Sequence, residues 1–421
     1  MIKRSLFSEL NKHLEKKEIS LIIGPRQAGK TTLMMLLQER LAKKGKKTVF
    51  LNFDIERDRE FLQTQDRLIR KIELEIGKGK GYVFLDEIQR KENAGLFLKG
   101  LYDMNLPHKF IVSGSGSVEL KEKIHESLLG RKRIFELGTV TFLEFVNFRT
   151  GYRYENKLRD FFKVEKSASR LLLEEFLNFG GYPRVILEEK EEEKRKTISE
   201  IYQSYLEKDI AYLSGSRKTD DFTRLLRIIA SQIGSLVNIS ELSSTLGLSA
   251  PTIKSYLWYL ENTYILKKVR PYFKNVRKEI TKAPVYYFYD LGLRNFAAGE
   301  FGRINPDVDG GFLFENFVFS ALQEKIKNTA DAVNFWRTKD NAEVDFILNR
   351  GKRVIPIEAK KQNLVRPEIK RSLRSFVAKY QPEEAYVVNL TLNDMARIKN
   401  SRVYFVPYWK IFGENWESVG E

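Results

Sequence analysis

The stretch Gly24-Pro25-Arg26-Gln27-Ala28-Gly29-Lys30-Thr31 satisfies the pattern Gly-x-x-x-x-Gly-Lys-Thr at every position. An apolar run, Ile19-Ser20-Leu21-Ile22-Ile23, enters it and predicts a buried strand. Thr31 to Ala42 leaves it with apolar residues at Leu33, Leu36, Leu37 and Leu41, which predicts an amphipathic helix. Strand, glycine-rich turn and helix in that order form a cradle for a polyphosphate. Gly24 and Gly29 permit the tight turn that aims backbone N–H groups and the helix N-terminus at one point. Lys30 is placed to neutralise β/γ oxygens, and the Thr31 hydroxyl suits Mg²⁺. The expected nucleotide contacts are therefore Gly24, Pro25, Arg26, Gln27, Ala28, Gly29, Lys30, Thr31 and Thr32, with ATP and Mg²⁺ as cofactors.

Working outward, Lys47 to Asp54 reads as a second strand and Gly81-Tyr82-Val83-Phe84-Leu85-Asp86-Glu87 as a third that ends in two carboxylates. At a strand tip, Asp86 suits the Mg²⁺ shell and Glu87 suits alignment or deprotonation of an attacking water. Lys109 to Val112 is a further strand running into Ser113-Gly114-Ser115-Gly116-Ser117 at the carboxyl edge of the sheet, where open α/β folds bind ligands. Ser113 or Ser115 is the candidate γ-phosphate sensor, and a plain Ser/Gly loop is the alternative. Gly130-Arg131-Lys132-Arg133 precedes the strand Ile134 to Leu137. Arg131 is either an arginine finger, in its own subunit or a neighbour's, or part of a basic surface turn.

These stretches, with Leu85-Asp86-Glu87-Ile88-Gln89 and Phe179-Gly180-Gly181-Tyr182-Pro183, resemble prokaryotic ATP-binding proteins that join an AAA-type ATPase to a C-terminal domain of unassigned function. The resemblance spans nearly the whole chain. It implies an ASCE-type ATPase core, a helical segment in which Asp209 recurs, a winged helix and a terminal nuclease-like fold.

At 421 residues the chain exceeds one ordinary core, so two or three domains are expected. Lys and Arg number 73 against 56 Asp and Glu, and the net charge of +17 favours a polyanionic partner. With no cysteine, thiolate zinc sites and cysteine nucleophiles are excluded, and His13, His108 and His125 are too scattered to suggest a metal centre. Neither a signal peptide nor an apolar run of membrane length is evident, which makes a cytoplasmic protein without membrane contact the expectation.

In the middle, a helix over Leu171 to Asn178 is expected to close at Gly180-Gly181, with Pro183 preventing its resumption, and a charge run from Glu188 to Lys196 leads into further helix. Asn238 to Leu257 carries a helix-turn-helix pattern with its turn at Gly247 and a second helix begun by Ser249 and Pro251. Ile253, Leu257 and Leu260 fall on its inner face, and Thr252, Lys254, Ser255 and Trp258 nearer the outer one. Ile265 to Arg270 and Val285 to Tyr289 read as strands of a wing, with Lys274, Arg277 and Lys278 between them. Contact with DNA or with a protein are both open uses of such a module.

Toward the C-terminus, a helix opening at Phe312 carries Glu315 in its first turn. Strands follow over Ala332 to Trp336, Glu343 to Leu348 with Asp345, and Val354 to Lys360 ending Glu358-Ala359-Lys360. That order resembles the PD-(D/E)xK nuclease fold, although no proline precedes Asp345. Side chains two apart on a strand share a face, so Glu358 and Lys360 point together. Asp345 and Glu358 are the candidate ligands for Mg²⁺ or Mn²⁺, Glu315 an added acid, and Lys360 the residue that positions water or phosphate. The same constellation also suits a fold that grips DNA without cutting it.

The expected architecture is thus α/β: a P-loop parallel-sheet ATPase over 1–160, a helical connector over 161–220, a winged helix over 221–300 and a restriction-endonuclease-like α/β domain over 301–421. DNA is the expected partner, a homo-oligomer is compatible, and a switch directed at a protein is the rival.

Overall fold

The computed structural model describes residues 1–115, 127–213, 217–273, 277, 279, 282–305 and 310–413. The chain forms two compact units, one of Met1–Phe148 with Tyr182–Leu187 and Trp258–Ile265, the other of Arg149–Gly181, Glu188–Leu257 and Leu266–Glu421.

In the first unit, β1 (Ile19–Gly24), β2 (Thr48–Asn52), β3 (Tyr82–Asp86), β4 (Lys109–Ser115) and β5 (Lys132–Glu136) form a sheet in the order β2-β3-β4-β1-β5. Every pairing is parallel. The inner strands β1 and β3 are buried at every residue, which is why they read as near-continuous apolar runs. Alternation along each strand sorts side chains to two faces. Leu21, Ile23, Val83, Leu85 and Val112 pack under α3 (Gln65–Glu75) and α4 (Ala94–Asp103). Ile22, Phe84 and Ile111 pack under α1 (Leu6–His13) and α2 (Lys30–Lys43). The expected parallel sheet is present, and all five strands deliver their carboxyl ends to one edge.

The second unit carries a mixed six-stranded sheet in the order β12-β13-β11-β10-β9-β8, preceded in sequence by an antiparallel pair, β6 (Leu266–Val269) and β7 (Val285–Phe288). Its strands are β8 (Ala332–Arg337), β9 (Glu343–Arg350), β10 (Arg353–Ala359), β11 (Glu384–Asn389), β12 (Asp394–Ile398) and β13 (Ser401–Pro407). The helix-turn-helix pattern forms α5 (Ile239–Leu246) and α6 (Ala250–Asn262). The Asn238 side chain caps the first by accepting from Ser240 N–H at 3.0 Å, and Gly247 closes it at φ 68°. Ser249 caps the second, accepting from Thr252 N–H at 3.2 Å. Ile253, Leu257 and Leu260 are buried, while Lys254, Ser255 and Trp258 are exposed.

Three details differ from the sequence reading. Pro183 does not merely end a helix: it opens the short helix Pro183–Leu187, since the first helical position needs no N–H. In a helix read from the sequence over Arg366 to Tyr380, the first turn is absent: after α7 (Gly310–Ile326) the next helix, α8, runs over Arg371–Tyr380. Strand β12 was not foreseen, because it is an edge strand with only Ile398 buried and so lacks an apolar alternation.

The two strands expected of a wing form as β6 and β7, and they are tied into the second unit. All four residues of β7 are buried, and the chain just after β6 joins the six-stranded sheet, where Tyr272 N–H donates to Phe335 O at 2.6 Å and Phe335 N–H to Arg270 O at 3.1 Å. Residues on either side of 300 therefore share one unit. Of the basic residues expected between β6 and β7, Arg277 is exposed, and Lys274 and Lys278 lie outside the described residues.

Candidate functional site

The phosphate loop is built as its glycines require. Gly24 has φ 152°, and a Cβ there would lie 2.0 Å from the carbonyl oxygen of Leu137 just past β5. Gly29 has φ 93° and begins α2. Lys30 is buried, and its ammonium donates to Gly24 O at 3.1 Å and Pro25 O at 2.7 Å. Burial lowers its pKa to about 8, against the opposing charges of Glu87 and Asp86. Ala28 is buried, Arg26 and Gln27 are half-buried, and Thr32 is exposed on the first turn of α2.

Asp86 is fully buried at the end of β3 and collects donors from four directions. Thr31 Oγ1 donates to its Oδ2 at 2.7 Å and Asn52 Nδ2 to the same oxygen at 3.2 Å, while Glu87 N–H at 3.1 Å and Ser113 Oγ donate to Oδ1. Ser113 is thus bound to the carboxylate beside it. The side chain of Ser115 and the residues Gly116 and Ser117 lie outside the described set. Glu87 holds a left-handed backbone, φ 59° and ψ 42°, and accepts a hydrogen bond from Gln89. A glutamate in that conformation is strained, and such strain concentrates where a side chain must be aimed.

Two partners of this loop had no signature in the sequence. The Arg4 guanidinium donates to Ala28 O at 2.9 Å, Gly138 O at 2.8 Å and Glu144 Oε2 at 3.0 Å, bracing the loop from behind. Arg184, on the short helix begun by Pro183, donates to Gln27 Oε1 at 3.1 Å. In a sequence, an isolated arginine reads as a solvated charge.

Arg131 is placed elsewhere. Ile19 at the start of β1 donates its N–H to Arg131 O, so Arg131 sits at the amino edge of the sheet, opposite the phosphate loop. There it pairs with Asp103 at 2.7 Å. This removes it from the phosphate site of its own chain, and its expected role as a finger in cis is corrected accordingly: its position is fixed by entry into β5, on the wrong edge.

In the second unit, Asp345 on β9 and Lys360 after β10 lie within electrostatic reach of Glu315 on α7, Glu343 on β9 and Glu358 on β10. Glu343 and Asp345 are two apart on β9, as Glu358 and Lys360 are about β10. Asp345 Oδ2 accepts from Ala359 N–H at 2.7 Å, and the Lys360 ammonium lies 3.5 Å from Glu358 Oε2. Burial pushes all four carboxyls above their ordinary range, Glu315 well above it with the charge of Asp345 adding to the effect. Burial works to lower Lys360, and Asp345 and Glu358 outweigh it. Lys370, before α8, adds a second positive charge within electrostatic reach of Asp345 and Glu358.

The Glu315 carboxyl is held by β7, where the fully buried Tyr287 hydroxyl donates to it at 2.5 Å. The next residue of α7, Asn316, is fully buried and mimics a strand partner, accepting from Phe288 N–H at 2.8 Å and donating to Phe288 O at 2.9 Å. Gly234 comes so close that a Cβ on it would lie 2.8 Å from Glu315 Oε1. Among the described residues, no three Asp, Glu or His side chains converge as a ready metal cage, so Glu315, Asp345 and Glu358 do not form one unaided.

Residues 16–146 match the family model described as an AAA domain. Residues 170–303 and 310–411 match two models, each described as a domain of unknown function (DUF8612 and DUF4143). An uncharacterised protein of Mycobacterium tuberculosis is 27% identical over 384 residues, covering 90% of this chain and 78% of that one. Another, of Methanocaldococcus jannaschii, is 26% identical over 423 residues, covering 95% and 90%. Among solved structures, the Orc1 protein of Aeropyrum pernix in complex with DNA matches with a TM-score of 0.30 at 12% identity, covering 70% of this chain and 91% of that one. No helix among the described residues is long and apolar enough to cross a membrane.

Proposed function

We propose that this protein hydrolyses ATP at the phosphate loop and acts on DNA, and that its acidic cluster receives a nucleic-acid phosphate together with a divalent cation. The observation that carries the first part is the 2.7 Å contact between Thr31 and Asp86. It joins the hydroxyl at the head of α2 to the carboxylate at the tip of β3, the two groups that a Mg²⁺–nucleotide complex needs side by side. Thr31 and Asp86 would hold Mg²⁺, which would supply positive charge to neutralise the phosphates. Lys30 turns from the loop carbonyls to the phosphates, the loop amides hold the triphosphate, and Glu87 orients water in line with the γ-phosphorus and takes its proton.

For the cluster, Mg²⁺ in phosphate-processing sites is commonly held by one or two carboxylates plus substrate oxygens. Asp345 and Glu358 suit that arrangement without a complete protein cage, and Lys360 is placed to hold a phosphate oxygen or a water. The DNA reading is supported by the net charge of +17 and by the exposed Lys254, Ser255 and Trp258 of the helix-turn-helix.

The test is a Mg²⁺ and Mn²⁺ titration of the full chain with labelled duplex, single-stranded and branched DNA, with and without ATP, beside an E358A/K360A variant. Cleavage lost in the variant makes the cluster a nuclease site. Salt-sensitive binding with intact DNA makes it a grip, and absence of all DNA binding redirects the search to a protein partner.

A further inference from the structure

The amino edge of the parallel sheet, opposite the phosphate loop, carries a row of positive charge. Because all five strands run parallel, the segments that feed them emerge on this one edge. Each is basic. Lys16 and Lys17 precede β1, Lys44, Lys46 and Lys47 precede β2, and Lys78 and Lys80 precede β3. Lys109 opens β4, and Arg131, Lys132 and Arg133 lead into β5. These eleven cations are accompanied by four acids, Glu15, Glu18 and Asp103 and, within electrostatic reach of His108 before β4, Glu73. The edge thus holds a net +7 of the chain's +17, in a small fraction of its length.

Two of the acids are already engaged, Glu15 with Lys80 at 2.5 Å and Asp103 with Arg131 at 2.7 Å. Lys109 is buried beneath the edge. Lys16, Lys17, Lys44, Lys46, Lys47, Lys78 and Arg133 are exposed. Strands lie about 4.8 Å apart, so five of them set these charges along a line of about 20 Å. Duplex DNA carries a phosphate every ~3.4 Å per strand, and such a line faces about six of them.

We infer that this edge is a second, sequence-independent nucleic-acid contact, on the ATPase unit itself and separate from the helix-turn-helix and the acidic cluster. The inference rests on the reading of DNA as the partner. A linear polyanion fits a row of cations. Exposed apolar side chains in the flanking elements stand singly, at Leu74, Met104 and Leu129, and do not make the continuous apolar face that a lipid surface takes up.

The experiment compares the full chain with K16E/K44E/K46E/K78E and with the neutral K16Q/K44Q/K46Q/K78Q. Each is titrated with a fluorescent DNA duplex and its single strand over a salt series, and with phosphatidylserine vesicles, while ATP turnover and thermal unfolding are followed in parallel. The expected result is a duplex affinity at least about tenfold weaker in both variants, with a salt dependence shallower by roughly 3 in log–log slope from the loss of up to four phosphate contacts. ATP turnover and unfolding temperature stay as in the parent. An unchanged slope in both variants, with the parent binding DNA, overturns this inference and leaves the proposed function standing. A parent that binds no DNA removes both. Loss of vesicle binding with DNA binding intact overturns it in favour of a membrane.

Discussion

The two candidate sites each set carboxylates beside a buried or half-buried lysine, yet they are finished to different degrees. Asp86 receives four donors, from two neighbouring strands, a helix head and the residue just past its own strand, and Lys30 is satisfied by two carbonyls. In the second unit Glu315 accepts from the Tyr287 hydroxyl, Asp345 accepts from the Ala359 N–H, and Glu358 lies 3.5 Å from the Lys360 ammonium. Burial disfavours the charged form of a carboxyl, and it is burial that raises the proton affinity of Glu315, Asp345 and Glu358. The first site is assembled before its ligand arrives. The second gathers acids that burial biases toward the protonated form, a bias that a bound cation would oppose.

This contrast breaks most visibly at Glu87. With Glu87→Gln, kcat for ATP is expected to fall by at least ~100-fold while nucleotide affinity stays within a few-fold, measured by phosphate release and by titration with a fluorescent nucleotide. Comparable loss of both would return Glu87 to a structural role.

The next effect is on pH. Free Lys30 loses its charge as pH rises through about 8, whereas the unfolded chain keeps it to 10.5. Phosphates favour the charged form, so ATP affinity is expected to be full below pH 8 and to weaken by up to about tenfold per unit above it. Calorimetric titration at pH 7 and pH 9 measures this, and a flat profile would detach Lys30 from the phosphates.

Glu315 sharpens the other side. Its carboxyl binds a proton more tightly folded than unfolded, so its contribution to stability is present at low pH and lost as pH rises through the folded value. Glu315→Gln keeps an oxygen for Tyr287 and removes the ionisation. Its denaturant midpoint should rise by the equivalent of about 1–2 kcal/mol at alkaline pH, with no gain at acidic pH. An equal shift at both ends would assign the effect to packing.

The smallest expected change is at Arg131→Ala. Its ion pair with Asp103 at the amino edge predicts ATP turnover within about twofold of the parent in an assay at fixed protein concentration. A large, concentration-dependent loss would instead place Arg131 in a neighbour's site.

The phosphate loop and the parallel sheet were legible because chemistry restricts them: only glycine fits at Gly24 against the Leu137 carbonyl, and strands buried on both faces must be apolar. The acidic strands were legible by their spacing. What escaped notice was the support. Tyr287 reads as one more aromatic in a core strand, Glu343 and Lys370 as solvated charges, and Arg4 as part of a basic tail. Each takes its meaning from a partner distant in sequence, Arg4 from a glutamate 140 residues away. Edge strand β12 was invisible for the complementary reason that water covers most of it.

The side chain of Asn316, paired to both main-chain groups of Phe288, joins two stretches that match separate family models. Seen as inheritance, that pairing is a constraint on recombination. A crossover between them would bring in a helix whose Glu315 and Asn316 must meet the Tyr287 and Phe288 of a foreign strand. A chimaera joined between the two stretches would first show at Tyr287, Phe288, Glu315 and Asn316 whether its halves still fit each other.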